Sequence, residues 1–337
     1  MTGGNNPARV QPGGTLAILG GGQLGRMMAM AARTMGYHVR VMDPEQRCPA
    51  SFVVDETIVG KWDDADAAHR LADGVDAVTL EIEQIGIDAL QRVADIAPLR
   101  PGVEPIRIIQ DKTLQKPWLA EHGFPVGPFR VVRSEEELQA EVPALDNRVF
   151  LKIGRGGYDG RGQARIGLDS AATPESISAA WKSLGGNACV AEQALDLDIE
   201  ISAGLGVEGM LCVEMFITKQ GELFVNELAP RPHNSYHQSE RGCATSQFEQ
   251  AVRAALNLPL GDTSLIAPCA IVNLLGDVWL DGEPNFAAAM EVPGVRVHLY
   301  EKLSARAGRK MGHLSSVGAT AEEALERVLN AKRLLHP

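Results

Sequence analysis

The chain has 337 residues and carries 32 Lys and Arg against 43 Asp and Glu, which gives a net charge of −11 at neutral pH. This acidic balance argues against nucleic acid or an acidic membrane as the main partner, although a local basic cluster can still bind a small anion. The length suits two or three domains, and a hydrophobic fraction of 45% is enough to build a sizeable core.

Five cysteines are scattered along the chain without a CxxC pair, which is typical of proteins in a reducing compartment. The N-terminal residues lack the apolar stretch of a signal peptide, and no apolar run is long enough to span a membrane. We therefore expect a cytoplasmic protein with no membrane partner, in which residues 1–14 form a disordered tail.

Strand and helix patterns alternate from residue 15 to about residue 100. The apolar runs TLAILG, HVRVMD, DETIVG and VDAVTLEIE are typical of strands, and helical patterns follow the first, third and fourth of them. Such alternation predicts a parallel sheet covered by helices on both faces. Pro98, Pro101 and Pro105 then mark a domain boundary.

The pattern beyond this boundary is mixed. One helix is predicted over RIIQDKTLQKPWLAEHG, with a kink or a new turn at Pro117, and strands are predicted over NRVFLKIG and ACVAEQAL. GMLCVEMFIT and ELFVNELAP form a predicted hairpin whose turn contains Gly221. Helices over residues 245–256 and over TAEEALERVLNAKRLL complete the predicted elements.

The first strand ends in a glycine turn, LGGGQLGRM. Gly20, Gly22 and Gly25 let backbone amides approach an anion at the N-terminus of the following helix, with Gln23 and Leu24 at the rim. The spacing matches a dinucleotide-binding turn, but a lone match is weak. NAD, another phosphate-bearing ligand and a tight structural turn therefore all remain open.

An acidic pair follows in TLEIEQI. Glu81 and Glu83 share one face of the fourth strand pattern and end it, at the carboxyl edge where ligands bind in open α/β sheets. A solvated strand edge is an alternative of about equal weight.

A glycine-rich loop occurs in VFLKIGRGGYDGRGQ. Lys152 lies on the preceding strand, and five glycines between residues 154 and 162 are interspersed with Arg155 and Arg161. This composition is typical of a mobile cover over phosphates, and the segment does not match the GxxxxGK[ST] pattern of a P-loop. A flexible hairpin without a ligand is the alternative.

The predicted hairpin carries the most informative acids. Counting back from its turn places Glu214 near Glu227 across the ladder, where two like charges are unfavourable unless a cation lies between them. With Asn226 they offer the oxygen ligands that Mg²⁺ prefers. Arg231 and His233 follow directly and can bind an anion beside the metal.

A basic cluster occurs near the C-terminus in HLYEKLSARAGRKMGHL. Its members are Lys302, Arg306, Arg309, Lys310 and His313. The cluster suits a phosphate group, although a solvated charged face explains it equally well.

A carboxylate pair on adjacent strands, a strand lysine and a mobile glycine-rich loop together resemble the nucleotide site of the ATP-grasp superfamily. GGGQLGRM, GGYDGRGQ, VNELAPRPHNS, SQFEQAVRAALNLPLG and GRKMGHL resemble, in consistent order, segments of the 5-(carboxyamino)imidazole ribonucleotide synthase family. The resemblance implies an α/β and α+β fold with a Rossmann-like pre-ATP-grasp domain at residues 15–104. It also implies an ATP-grasp module at 105–275, with a lid at about 120–188, and a C-terminal domain at 276–337.

The resemblance further implies an activity. The chain would be a ligase that uses ATP, Mg²⁺ and bicarbonate to carboxylate the exocyclic amine of 5-aminoimidazole ribonucleotide, through carboxyphosphate, in purine biosynthesis. A homodimer and a functional link to the downstream mutase are implied as well.

Site residues carry over by motif into four groups. The reacting centre would contain Tyr158, Asp159, Arg161, Arg231 and His233. ATP would contact Lys112, Lys152, Gly157, Gly160, Gln163, Glu192, Gln193, Ala194, Leu195, Glu200 and Asn226. The ribonucleotide would contact Gly22, Gln23, Leu24, Glu81, Asn234, Ser235, Lys302 and Arg309. Glu214 and Glu227 would bind Mg²⁺.

Three departures from the family's pattern bear on these expectations. Leu80 replaces an aromatic residue before the second acid, and Glu301 stands where the family favours glycine. Glu200 and Glu214 are joined by only thirteen residues, whereas the family has further strands and a helix there. This apparent deletion leaves an inactive nucleotide-binding relative as one alternative.

Two other functions remain as alternatives. One is a different ATP-grasp ligase, similar to the formate-dependent glycinamide ribonucleotide transformylase. The other is an NAD-dependent dehydrogenase, which the glycine turn alone suggests and which would give Glu214 and Glu227 no role.

Overall fold

A computed structural model describes residues 9–156, 162–193, 208–280 and 282–336 of the chain. The chain divides into two compact units. The first unit comprises Met1–Pro101, Glu208–Met210 and Arg231–Pro337, and the second comprises Gly102–Val207 and Leu211–Pro230. No helix in the described ranges combines the length and the apolar character needed to cross a membrane.

The first unit begins with the predicted parallel sheet, whose strand order is β3-β2-β1-β4. Its elements are β1 (Thr15–Leu19), α1 (Gln23–Thr34), β2 (His38–Asp43), β3 (Glu56–Val59), α2 (Ala65–Ala72), β4 (Ala77–Leu80) and α3 (Ile87–Ala94). The central strand β1 is almost wholly buried because both of its neighbours are parallel strands. This arrangement places the glycine turn after β1 beside the residues that follow β4.

The second unit contains a four-stranded antiparallel sheet, in the order β5-β8-β6-β7, and a separate two-stranded hairpin. Its helices are α4 (Val103–Ile109), α5 (Lys112–Glu121), α6 (Glu135–Glu141) and α7 (Pro174–Ser183). Its strands are β5 (Phe129–Val132), β6 (Val149–Ile153), β7 (Gln163–Ile166), β8 (Cys189–Gln193), β9 (Cys212–Ile217) and β10 (Leu223–Ala229). β9 and β10 form the predicted hairpin, and Gly221 lies in its turn with φ of +85°.

The chain then returns to the first unit and builds a second antiparallel sheet, in the order β11-β13-β12. The elements are α8 (Ser239–Gly242), α9 (Gln247–Ala255), β11 (Cys269–Leu275), α10 (Phe286–Met290), β12 (Val295–Leu299), β13 (Lys310–Val317) and α11 (Ala321–Arg333). α11 covers one face of this sheet with its fully buried Ala324, Val328 and Ala331. The predicted fold class, α/β together with α+β, is confirmed.

Two local predictions were wrong. The helix predicted over residues 107–123 is broken before Lys112 rather than at Pro117. α4 ends at Ile109 with Gln110 as its C-cap, and Asp111 caps α5 by accepting a hydrogen bond from Thr113 N at 2.9 Å. Pro117 lies inside α5. The fourth strand ends at Leu80, so Glu81 and Glu83 lie beyond the strand rather than on one of its faces.

Candidate functional site

A cavity of about 150 Å³ lies in the second unit among β6, β8 and the β9–β10 hairpin. Three aromatic side chains, Phe150, Phe216 and Phe224, contribute to its wall. Polar groups also reach it, from Lys116, Lys152, Gln163, Glu192 and Gln193. Apolar aromatic walls with a few polar side chains are typical of a site for a planar heteroaromatic ring.

Glu192 lies between two lysines at this cavity. Its Oε2 accepts a hydrogen bond from Lys152 Nζ at 2.8 Å, and its Oε1 lies 3.4 Å from Lys116 Nζ. Burial alone would raise the pKa of Glu192, but the two ammonium groups outweigh burial and hold this pKa below its ordinary value. Glu192 is therefore a carboxylate at neutral pH, which gives the cavity a fixed negative charge.

Lys116 was not among the predicted site residues. Its side chain is almost fully buried, and its Nζ donates to Val225 O at 3.1 Å on β10. Burial lowers the pKa of Lys116, and the charge of Glu192 opposes this effect. The sequence did contain a signal, because Lys116 follows Lys112 by four residues and therefore lies on the same face of α5.

The β9–β10 hairpin brings the predicted metal ligands together. Glu214 and Glu227 are direct partners in the ladder, as counted from the turn, with a bulge between Val225 and Glu227. Asn226 Nδ2 donates to Glu214 Oε2 at 3.1 Å, and Lys112 Nζ donates to Glu227 Oε2 at 2.7 Å. Two carboxylates and an amide oxygen are hard donors of the kind that Mg²⁺ prefers, so these residues fit that ion.

The cavity and the carboxylate pair are linked by hydrogen bonds. Lys152 lines the cavity and donates to Asn226 Oδ1 at 3.2 Å, while Asn226 in turn contacts Glu214. A ligand with a ring in the cavity and phosphates near Lys152 and Lys112 would extend toward the carboxylate pair. The arrangement suits a nucleotide that binds together with a divalent ion.

Eight of the predicted nucleotide and reaction-centre residues lie outside the described ranges. They are Gly157, Tyr158, Asp159, Gly160, Arg161, Ala194, Leu195 and Glu200.

The glycine turn of the first unit binds a carboxylate of its own chain. Glu81 Oε1 accepts from Gly22 N at 2.7 Å, and Glu81 Oε2 accepts from Leu24 N at 3.1 Å and from Gly25 N at 3.0 Å. A side chain at Gly22 would collide with the Glu81 carboxylate, which explains the glycine there. Burial raises the pKa of Glu81, and the amides of Gly25 and Gly22 act against this shift. The group that occupies this helix N-terminus is therefore the carboxyl of Glu81.

Polar side chains meet beside this turn. Gln23 Nε2 donates to Asn234 Oδ1, and Gln23 Oε1 accepts from Lys302 Nζ at 3.2 Å. His237, which is fully buried and was not predicted, places its Nε2 at 3.3 Å from Gln23 Nε2. Burial lowers the pKa of His237 to about 3, so its ring is neutral. Of the predicted substrate residues, Gln23, Asn234 and Lys302 thus come together.

The remaining predicted residues of this unit lie in separate contacts. Arg231 Nε donates to Glu83 Oε2 at 2.8 Å. The periodicity of the strand could not reveal this partner of Glu83. His233 Nδ1 accepts from Ser235 N at 3.3 Å. Arg309 donates to Ser304 O at 2.9 Å and is not in the group around Gln23.

Three family models match successive parts of the chain. Residues 14–110 match the ribonucleotide synthetase preATP-grasp domain, residues 117–204 and 201–248 match the ATP-grasp domain, and residues 269–327 match the phosphoribosylaminoimidazole carboxylase C-terminal domain. The N5-carboxyaminoimidazole ribonucleotide synthase of Brucella melitensis is 36% identical over 356 residues, covering 91% of this chain and 97% of that protein. This chain belongs to the N5-carboxyaminoimidazole ribonucleotide synthase family.

Other members of the synthase family are also similar to this chain over most of its length. The Bacillus subtilis protein of that name is 35% identical, with 95% of this chain and 96% of the relative covered. The crystal structure of an N5-carboxyaminoimidazole ribonucleotide synthetase with ADP is 33% identical and superposes with a TM-score of 0.85, covering 96% of this chain and 97% of that one. The Aspergillus clavatus synthase, in complex with ADP and 5-aminoimidazole ribonucleotide, is 26% identical with a TM-score of 0.83, covering 96% and 99% of the two chains.

Proposed function

We propose that the chain catalyses the ATP-dependent carboxylation of 5-aminoimidazole ribonucleotide to N5-carboxyaminoimidazole ribonucleotide in purine biosynthesis. The observation that carries the proposal is the connected set in the second unit, from the aromatic cavity through Lys152 and Asn226 to Glu214 and Glu227. Family membership supplies the reaction, and this set supplies the chemistry that a nucleotide-dependent ligase needs.

Bicarbonate is a poor electrophile, so the reaction must activate it. An oxygen of bicarbonate attacks the γ-phosphorus of ATP, ADP leaves, and carboxyphosphate forms. The exocyclic amine then attacks the carboxyl carbon, phosphate leaves, and the amine loses a proton. Carboxyphosphate hydrolyses readily, so the site must exclude water during this step.

The nucleotide would bind in the second unit. Its adenine ring would occupy the cavity, where Glu192 Oε1 is buried and accepts no hydrogen bond from the described residues, so it can accept one from an amino group. Lys112 and Lys152 would contact the phosphates, and Gln163 and Gln193 would border the ring. Mg²⁺ held by Glu214 and Glu227, with Asn226 beside them, would neutralise phosphate charge.

The second substrate would bind in the first unit. Gln23, Asn234 and Lys302 form a polar group that suits the hydroxyls and phosphate of a ribonucleotide. Glu81 would act there by holding the glycine turn, so that Gly22, Gln23 and Leu24 keep their positions. Ser235 and Arg309 would complete the binding residues, and Arg231 and His233 would bind bicarbonate or its phosphate.

Several further expectations, drawn from the family and from the composition of the chain, remain proposals. We expect a homodimer, a cytoplasmic location and a functional link to the mutase that consumes the product. Tyr158, Asp159 and Arg161 would take part at the reacting centre, with Gly157, Gly160, Ala194, Leu195 and Glu200 in the nucleotide site.

We also infer that a segment is missing between Glu200 and Glu214. Two observations support this inference: the ATP-grasp matches are two ranges that meet at residues 201–204, and the alignment with the Brucella protein spans 356 residues, more than this chain contains. The missing segment favours one second candidate, a relative that binds ATP without turning it over.

Release of ADP from ATP and Mg²⁺, measured with and without 5-aminoimidazole ribonucleotide and bicarbonate, separates these candidates. The synthase predicts release that requires both additions. Stimulation by glycinamide ribonucleotide and formate would instead identify the alternative ligase. ATP binding by calorimetry without stimulated release would identify the inactive relative and overturn the proposal.

A matched pair of variants tests the metal assignment. Glu227→Gln removes one charged ligand and should abolish turnover, at least a hundredfold, because phosphate charge is no longer neutralised. Glu222→Gln makes the same change at an exposed position in the turn of the same hairpin and should leave the rate unchanged. Full activity in Glu227→Gln would contradict the assignment.

A further inference from the structure

Three potential metal ligands, none of them assigned to a substrate or to Mg²⁺ above, meet in the C-terminal part of the first unit, where His313 also stacks on His237 with ring centroids 5.0 Å apart. His298 on β12 and His313 on β13 are direct partners across the antiparallel ladder, and their rings stack with centroids 4.3 Å apart. Glu240 on α8 contributes a carboxylate, whose Oε2 lies 3.8 Å from His298 Nδ1. One ligand atom from each residue lies within 4.8 Å of the other two.

The remaining ring nitrogens already have partners. Tyr300 Oη lies 2.7 Å from His313 Nδ1, and Ser315 Oγ lies 3.1 Å from His298 Nε2. Hydrogen bonds of this kind fix the tautomer and the ring orientation of metal-binding histidines. When each of these two nitrogens donates to its hydroxyl oxygen, the lone pairs of His313 Nε2 and His298 Nδ1 are available to an ion.

His313 Nε2 provides an independent sign of a ligand. The His313 side chain is fully buried, and this nitrogen has no hydrogen-bond partner among the described residues. A buried polar atom without a partner is unfavourable, so it calls for an explanation such as a bound ion.

We propose that Glu240, His298 and His313 form a binding site for a divalent transition-metal ion, with Zn²⁺ as the best match. Two imidazole nitrogens and one carboxylate are a common zinc ligand set, and the fourth position would hold water. The site is distinct from the Mg²⁺ ligands proposed above, which are all oxygen atoms of the second unit.

The protonation states suit a cation. Burial lowers the pKa of His298 to about 4 and also lowers that of His313, so both rings are neutral and can donate a lone pair. Burial raises the pKa of Glu240 to about 7, so the ion would displace a proton from part of the population at neutral pH.

Two features limit the affinity. Arg241 and Arg296 lie near Glu240 and His298, and their positive charges oppose a cation. Glu240 Oε2 and His298 Nδ1 are 3.8 Å apart, farther than the roughly 3.3 Å between neighbouring ligands in a tetrahedral zinc site, and the two imidazole rings are nearly parallel, so binding must turn the rings toward Glu240. We therefore expect micromolar rather than nanomolar affinity. Binding would join α8 to the β12–β13 pair and stabilise this sheet by linkage.

The test is titration of the full chain, freed of metal and of any affinity tag, with Zn²⁺ in a calorimeter. We expect one equivalent to bind with a dissociation constant of about 1–10 µM. Glu240→Gln, a change at a partly exposed position, should weaken binding at least tenfold, and His313→Gln should do the same if it folds. His122→Gln removes an exposed histidine of the second unit and should bind like the parent chain.

Two further variants identify the site. Glu227→Gln should leave Zn²⁺ binding unchanged, since it alters only the proposed Mg²⁺ site. Arg296→Gln should tighten binding about threefold, because it removes a nearby positive charge. No binding below 100 µM Zn²⁺, or equal binding by the parent chain and Glu240→Gln, would overturn the proposal.

Discussion

Two regions of this molecule carry features of nucleotide binding, and they differ in how their charges are balanced. At the glycine turn of the first unit, the amides of Gly22, Leu24 and Gly25 are all hydrogen-bonded to one carboxylate, Glu81. At the cavity of the second unit, Glu192 Oε1 is buried without accepting a hydrogen bond, although two lysines lie beside that carboxylate.

The difference shows why a glycine fingerprint alone is a poor guide to a ligand. Both regions have the composition of a phosphate site, but backbone amides hold the carboxyl group at the turn, whereas lysine side chains hold the carboxylate at the cavity. The hypothesis of a dehydrogenase required the turn amides to bind a pyrophosphate, but those amides donate their hydrogen bonds to Glu81. The family matches cover the turn with a ribonucleotide synthetase domain, which removes the dinucleotide interpretation.

The largest effect on stability is expected from removing the carboxylate that pairs with the lysines at the cavity. Glu192→Gln would leave Lys116 buried without its carboxylate partner, which typically costs about 3–5 kcal/mol. We expect a loss of about 3 kcal/mol in the stability of the second unit, since Lys116 can release its proton. Urea unfolding followed by the fluorescence of Trp118 and Trp181, both in this unit, measures it.

The double variant Glu192→Gln with Lys116→Met is the control for this effect. It removes both charges together, so the double variant should recover much of the stability lost by Glu192→Gln alone. A loss below about 1 kcal/mol in Glu192→Gln would mean that the cavity charges are solvated, and the contrast with the turn would fail.

A smaller effect is expected at the turn. Glu81→Gln keeps the length of the side chain but replaces one carboxylate oxygen with an NH₂ group that faces backbone donors. We expect a loss of about 2 kcal/mol in the stability of the first unit, because hydrogen bonds to a charged group are stronger than neutral ones. Thermal unfolding compared with that of Glu56→Gln, an exposed acid on β3, measures it. An unchanged midpoint would show that Glu81 does not hold the turn.

The fold was predictable where local patterns decide it. The parallel sheet followed from alternation, and the opposition of Glu214 and Glu227 followed from counting along a hairpin, because the turn sets the register of adjacent strands. The helix break at Asp111 was missed because Pro117 is the stronger sequence signal. The capping hydrogen bond of Asp111 becomes apparent only in three dimensions.

Side-chain partners were much less predictable than strands. The sequence predicted that Glu81 lies at the carboxyl edge of the sheet, where it does follow β4. It could not show that both carboxylate oxygens accept hydrogen bonds from the turn. Lys116 and His237 were missed because burial depends on long-range packing, and a lysine in particular is usually exposed. Gln23 and Asn234 were each assigned to the ribonucleotide through the family's pattern rather than through periodicity, and their hydrogen bond to each other was not predicted.

The smallest effect on stability is expected at Glu301, which stands where the family favours glycine. Gly20 in the turn has φ of +104°, a conformation that glycine adopts without strain, whereas Glu301 beside Lys302 has φ of +57°. A left-handed conformation costs a residue with a side chain roughly 1–2 kcal/mol. Glu301→Gly should therefore stabilise the first unit by about 1 kcal/mol, measured as a higher midpoint of thermal unfolding.

Glu301→Ala separates backbone strain from the loss of charge. The Glu301 side chain is half exposed, and its Oε1 lies 3.9 Å from Arg26 Nη2. This ion pair therefore contributes little to stability. Alanine removes the same charge but keeps a Cβ atom, so it should give none of the gain seen with glycine. Equal stabilisation by both substitutions would assign the effect to the carboxylate. A gain with glycine alone would show that the departure from the family's glycine strains the backbone next to Lys302.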